Sequence, residues 1–157
     1  MAQIRLNVRI SYRGRSVDAV ALHDTGAETY AFLDNSIAER LGLPRGSAVG
    51  YAGIAGSSVG FNSEVDSFQV LGNSDCAIGK MPVVVGQVTV PNVEALVGEY
   101  FMRSVGMTTE VSENGISISC RKGAKIAITQ PISKETWIIG GAVILGVVIL
   151  GFTVFRD

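Results

Sequence analysis

One stretch of the chain joins residue types that could do acid–base chemistry: Ala19-Val20-Ala21-Leu22-His23-Asp24-Thr25-Gly26-Ala27-Glu28-Thr29. An apolar run leads into an acid, a hydroxyl residue and a glycine. Gly26 lets the chain turn sharply and approach another backbone closely. Such a turn places the Asp24 carboxylate at the end of a strand, with Thr25 available to hydrogen-bond inward. A carboxylate held there can accept a proton from water or, when protonated, donate one to a carbonyl oxygen. Asp-Thr-Gly alone is a common turn, so its surroundings must decide its meaning.

Those surroundings read as strands with turn punctuation. From Gln3 to Ile10, apolar Ile4, Leu6, Val8 and Ile10 alternate with Arg5, Asn7 and Arg9, the period of a half-buried strand. Tyr12-Arg13-Gly14-Arg15 is a tight turn, and Ser16–Leu22 returns as the second arm of a hairpin. Ser36–Leu41 reads as a short helix. Ser36 and Glu39 have capping-box spacing, Gly42 suits a left-handed C-cap, and Pro44 blocks continuation. The Gly-rich stretch from Ser47 to Gly60 keeps Val49, Tyr51, Ile54 and Val59, so it reads as a flexible hairpin. A strand at Glu64–Leu71 follows. A Val-rich run at Met81–Val90 suggests a strand buried on both faces. Ala95-Leu96-Val97-Gly98 comes next, within a region, Glu94–Val105, that can hold a second short helix. Asn114-Gly115 between Thr108–Ser112 and Ile116–Cys120 signals another hairpin.

This ordered set resembles the retropepsin family, the single-domain aspartic proteases of retroviruses and their cellular relatives, over roughly residues 3 to 120. The helix at Ser36–Leu41 looks more like the cellular and microbial members. The resemblance implies a mainly β fold: a closed acid-protease barrel with one or two short helices, active as a C2 homodimer. It implies that Asp24 is the catalytic aspartate and that Thr25 reaches across to its copy in the partner chain. Gly26, Ala27 and Glu28 would contact substrate. Gly50–Gly56 would form a flap, with Gly53, Ile54 and Ala55 at the tip over the peptide. Leu96, Val97 and Gly98 would cross under the active-site loop and hold it. Glu28 could equally pair with an Arg such as Arg103 and brace the dimer.

Charge physics gives the mechanism. The chain has one Asp-Thr-Gly and is too short to be a two-lobed, pepsin-like enzyme, so two copies must meet to supply two carboxylates. Like charges about 3 Å apart cannot both ionise cheaply and therefore share one proton, for which aspartic proteases are the standard example. Substrate would be an extended polypeptide, bound as an added strand with side chains in apolar pockets. No cofactor or metal is needed. His23, the single histidine, stands where the family usually has an apolar residue. Strand alternation turns it away from Asp24, which favours a structural role over a pH-sensing one. The competing reading is a catalytically silent, dimeric peptide-binding or scaffolding module on a membrane.

Composition sets the frame. The chain has 157 residues and a net charge of -1, which excludes binding nucleic acid through bulk basicity. Mean hydropathy is +0.35, and its excess lies in Thr136–Phe155, which carries no charge. A helix over residues 137–155 would nearly match the ~30 Å hydrocarbon core at ~1.5 Å per residue. The division expected is a protease domain at 1–123, a linker or last strand at 124–136, and a single C-terminal transmembrane helix at 137–155. Ala142 and Gly146 give that helix small-xxx-small spacing. Arg121, Lys122, Lys125 and Lys134 precede it, against Arg156 after it, and no apolar signal core opens the chain. Both point to a cytoplasmic protease domain. Cys76 and Cys120 lack metal-ligand spacing and are expected to be reduced and structural.

Overall fold

The computed structural model describes residues 3–53 and 56–121, together with three stretches of backbone further on. The fold is mainly β with two short helices. β1 (Arg5–Tyr12) buries Leu6, Val8, Ile10 and Tyr12 on alternate positions and leaves the arginines outside. It pairs with β2 (Arg15–His23) along its whole length, from Arg5 opposite Leu22 to Tyr12 opposite Arg15. The two-residue turn needs positive φ at both positions, met by Gly14 (78°) and Arg13 (47°). Arg13 is held there by donating its backbone N–H to Asp66 Oδ2 at 2.6 Å.

β3 (Ala31–Asp34) leads into α1 (Asn35–Leu41). The expected cap shifts by two residues. Asp34, not Ser36, is the N-cap, and its carboxylate accepts the Ser36 N–H at 2.9 Å. Asp34 stands at the strand end with extended backbone, where its carboxylate reaches the first free amide, which leaves Ser36 inside the first turn. Gly42 closes the helix in the left-handed conformation as expected. β4 (Ala48–Gly53) and β5 (Gly56–Val65) form the glycine-rich hairpin, in register from Ala48 opposite Phe61 to Gly53 opposite Gly56.

The strand expected at Glu64–Leu71 is divided between β5 and β6 (Ser67–Val70). At Asp66 the chain changes partners. Val65 still pairs with Met81, whereas Ser67 pairs with Ser11, and the Asp66 N–H donates to Ser11 O. β7 (Ala77–Ile78), β8 (Met81–Gly86), β9 (Ala95–Val97), α2 (Glu99–Val105), β10 (Thr108–Ser112) and β11 (Gly115–Ser119) complete the domain. The Asn114-Gly115 hairpin forms as expected.

One sheet runs β4-β5-β8-β3-β9-β2-β1-β6-β7. It curls into a half-barrel, and its outer strands β4 and β7 do not pair with each other. The closed barrel implied by the resemblance is therefore an open, curled sheet among the described residues. One core, with Val8, Ile10, Leu33, Ile37, Phe68, Val83, Val85 and Phe101, fills the face that α1 and α2 cover. Phe68 and Phe101 meet edge to face at 5.1 Å. Fully burying each such side chain stabilises the fold by about 1.5–3 kcal/mol. A second cluster joins Leu22, Phe32, Val49, Tyr51, Val84, Val93 and Leu96 on the opposite face.

Cys76 and Cys120 form a disulfide, with Cα atoms 5.2 Å apart and 44 residues between them in sequence. This corrects the expectation of reduced thiols. Their distance in sequence hid a local meeting: Asn73 accepts the Cys76 N–H and donates its own side chain to Ile118 O beside Cys120.

Beyond residue 121 the described backbone consists of β12 (Thr136–Ile139), β13 (Ala142–Val148) and β14 (Phe152–Val154), paired antiparallel. Most of the linker expected at 124–136, and the rest of the helix expected at 137–155, lie outside the described residues. The extended stretches hold Ile, Val and Gly, whose β-branched members favour strands in water. Hydrocarbon imposes a different demand, since there a single segment satisfies its backbone only as a helix. Among the described residues no helix is long and apolar enough to cross a membrane.

Candidate functional site around Asp24

Three short strands build the site. β9 lies between β2, to which it is parallel (His23 opposite Val97), and β3, to which it is antiparallel (Ala31 opposite Val97). Residues 24–30 therefore form a loop joining two strands that flank a third. The loop passes over the end of that middle strand. Backbone bonds tie it down on both sides. Asp24 donates to Val97 O at 3.0 Å, and Gly98 donates to Tyr30 O at 3.1 Å. Glu99 and Tyr100, at the start of α2, donate to Ala27 O (2.8 Å) and Thr29 O (3.1 Å).

Gly98 is the tightest point. A Cβ at this position would lie 2.0 Å from Thr29 O and 2.7 Å from Ala27 O. Only a residue without a side chain allows the loop and the β9–α2 junction to touch. The resemblance assigned Leu96, Val97 and Gly98 to holding the loop. Leu96 and Val97 are buried beneath it, and Gly98 is the point of contact.

Asp24 sits at the end of β2 with only 8% of its surface exposed. Its Oδ1 accepts the Gly26 N–H at 2.9 Å, and its carbonyl accepts the Ala27 N–H at 3.2 Å. The carboxylate is thus oriented by its own turn. Thr25 is exposed, Gly26 and Glu28 are half-buried, and Ala27 is fully buried. Thr29 is also fully buried, and its hydroxyl has no hydrogen-bond partner. Arg103, a candidate partner for Glu28, pairs with Glu99 one helical turn earlier at 2.7 Å. Gly53 ends β4, and the expected flap tip, Ile54 and Ala55, lies outside the described residues.

His23 is half-buried, with its backbone N–H donating to Ile4 O. Burial lowers its pKa below the ordinary 6.5, against partial support from its own backbone and from the negative charge of Asp24. On β2 it alternates with Asp24 and so points to the other face. Leu22, two residues before Asp24, shares the Asp24 face, and it packs in the second apolar cluster with Phe32, Tyr51 and Leu96. No local pattern marks β3. Four residues are too few to display a period, so Phe32 and the double role of Asp34 were not legible. The Asp34 carboxylate also accepts the Val88 N–H at 3.0 Å and joins α1 to the chain after β8.

A separate surface pocket of about 390 Å³ lies beside α1, lined by Asn35, Glu39, Arg45 and Phe61 among others, and includes no residue of the Asp24 loop. Neither the protein-family models nor the curated proteins contain a match to this chain.

Proposed function

We propose that the protein is an aspartic endopeptidase of the retroviral type, in which two copies of the chain each supply one Asp24. The observation that carries the reading is the seating of the Asp24 loop: an acid at a strand end, locked by β9 between its two flanking strands, with Gly98 permitting the contact. That is much construction for an ordinary turn. A carboxylate oriented in this way suits acid–base chemistry.

Two further features support it. Thr25 is exposed beside a buried acid, as a residue bonding to a partner loop must be in a single chain. The β10–β11 ribbon carries Val111 and Ile116 opposite each other, 75% and 45% exposed. A two-stranded ribbon is marginal by itself in water, and a second copy would cover it. In the dimer the two carboxylates hold one proton between them. The ionised member takes a proton from water, which attacks the peptide carbonyl. The protonated member donates to the carbonyl oxygen.

The proposal includes a single C-terminal membrane anchor at 137–155. Confinement to a membrane raises effective concentration and favours the dimer. Cytoplasmic placement of the domain keeps the Lys/Arg bias but loses the support of reduced cysteines, since a disulfide is more at home in an oxidising compartment.

The test is incubation of the full chain with a peptide library at several pH values, beside Asp24→Asn. Products from the natural chain and none from the variant support the enzyme. Peptide binding without products, equal in both proteins, replaces it with the binding module.

A further inference from the structure

The β4–β5 hairpin reaches past the ladder that joins it to the rest of the main sheet, and β4 also lies against β13. β5 pairs with β8 only from Phe61 to Val65, so Gly56–Gly60 pairs with β4 alone. Ser57, Ser58 and Val59 on that arm are exposed. Tyr51, opposite Ser58, is the exception, with 7% exposure.

Its ring meets Phe32 edge to face at 4.9 Å, and its hydroxyl accepts the Gln87 N–H at 2.9 Å. The seat for this ring is made by Gly86. A Cβ at Gly86 would lie 2.8 Å from Tyr51 Cε1 and Oη and 2.7 Å from Phe32 Cζ. Tyr51 belongs to the same apolar cluster as Leu22, which shares the face of Asp24.

We propose that Tyr51 is a positioning residue that latches the β4–β5 hairpin down over the Asp24 face, with Gly86 and the Gln87 N–H as its catch; the role in catalysis rests on the proteolytic reading above. The stretch Gly56–Gly60 has a ladder partner on one side only, which favours local opening. One packed ring and one hydrogen bond to the end of β8 shift its balance toward the closed state. An extended peptide bound beneath it would be held by that state, so the latch sets substrate affinity and leaves the acid–base step to Asp24.

The test uses the full chain in detergent with Tyr51→Phe, which keeps the ring, and Gly86→Ala, which fills the seat. Amide hydrogen exchange is read at Gln87 and along residues 48–60, and peptide cleavage is read as KM against kcat. Loss of one hydrogen bond corresponds to roughly a five- to tenfold change in an opening equilibrium. Tyr51→Phe should speed exchange at Gln87 and in the hairpin by about that factor, leave α1 and β1 unchanged, and raise KM with kcat held. Gly86→Ala should do the same or more. Unchanged exchange in both variants overturns the latch. A fall in kcat with KM held overturns the positioning role. Faster exchange in a protein whose natural form cleaves no peptide sustains the latch and removes the protease reading instead.

Discussion

Replacing Gly98 by Ala tests the seating of the Asp24 loop without touching an acid. The new methyl would stand 2.0 Å from Thr29 O, 2.7 Å from Ala27 O and 2.8 Å from the Thr29 carbonyl carbon. These are backbone atoms and cannot rotate away, so the loop must lift. Lifting lengthens the bonds from Gly98 to Tyr30, Glu99 to Ala27 and Tyr100 to Thr29. Each is worth about 1 kcal/mol, and forced overpacking adds about 1–3 kcal/mol. Allowing for partial relaxation, Gly98→Ala should destabilise the protein by roughly 3–5 kcal/mol. For a domain of this size that lowers Tm by on the order of 10–20 °C. Far-UV circular dichroism during heating measures it. Gly79→Ala is the control, since its Cβ would meet only Asp66 O at 3.9 Å. Destabilisation under about 1 kcal/mol, with peptide turnover intact, would refute the claim that the β9–α2 junction holds the loop.

Other consequences can be measured on the same preparation. Replacing both Cys76 and Cys120 by Ser opens a 44-residue loop and should cost roughly 4 kcal/mol on the chain-entropy estimate; equal denaturant midpoints with and without reductant would contradict this. Thr29→Val removes a buried hydroxyl that has no partner and keeps its shape, so stability should hold or rise by up to about 1 kcal/mol; a clear loss would mean that the hydroxyl is satisfied in solution. Burial depresses the pKa of His23, so its contribution is present above about pH 6.5 and is lost as pH falls through the lower folded-state value. His23→Gln should therefore flatten the fall in stability between pH 7 and pH 5 seen by urea unfolding, and an unchanged pH profile would remove His23 as its source.

Local rules made much of the fold readable. The alternation of Leu6, Val8 and Ile10 marked β1, Arg13-Gly14 and Asn114-Gly115 marked turns, and Gly42 marked a helix end. Each of these is decided by a few adjacent residues. What the sequence hid depends on distant contacts. Asp66 ends one strand because two different neighbours claim the residues beside it. β3 exists because β8 and β9 flank it, not because Ala31–Asp34 carries a pattern. Asp34 outcompetes Ser36 for the cap from its place at the end of that strand. The disulfide joins residues 44 apart. At the site, Asp-Thr-Gly drew attention to Asp24, and the Gly at 98 gained meaning only once the carbonyls of Ala27 and Thr29 were found against it. Tyr51 read as one more apolar residue in a glycine-rich stretch until its hydroxyl was placed beside Gln87.

Subunit mixing tests most directly whether the reacting centre takes one Asp24 from each of two chains. Natural chain and Asp24→Asn chain are unfolded together in equal amounts, refolded at fixed total concentration, and assayed on a peptide substrate. Random pairing puts two natural chains together in about one pair in four, so a centre shared across a two-fold axis retains about a quarter of the activity. Retention of about half would mean that each chain works alone, and the shared proton would have no place in the mechanism.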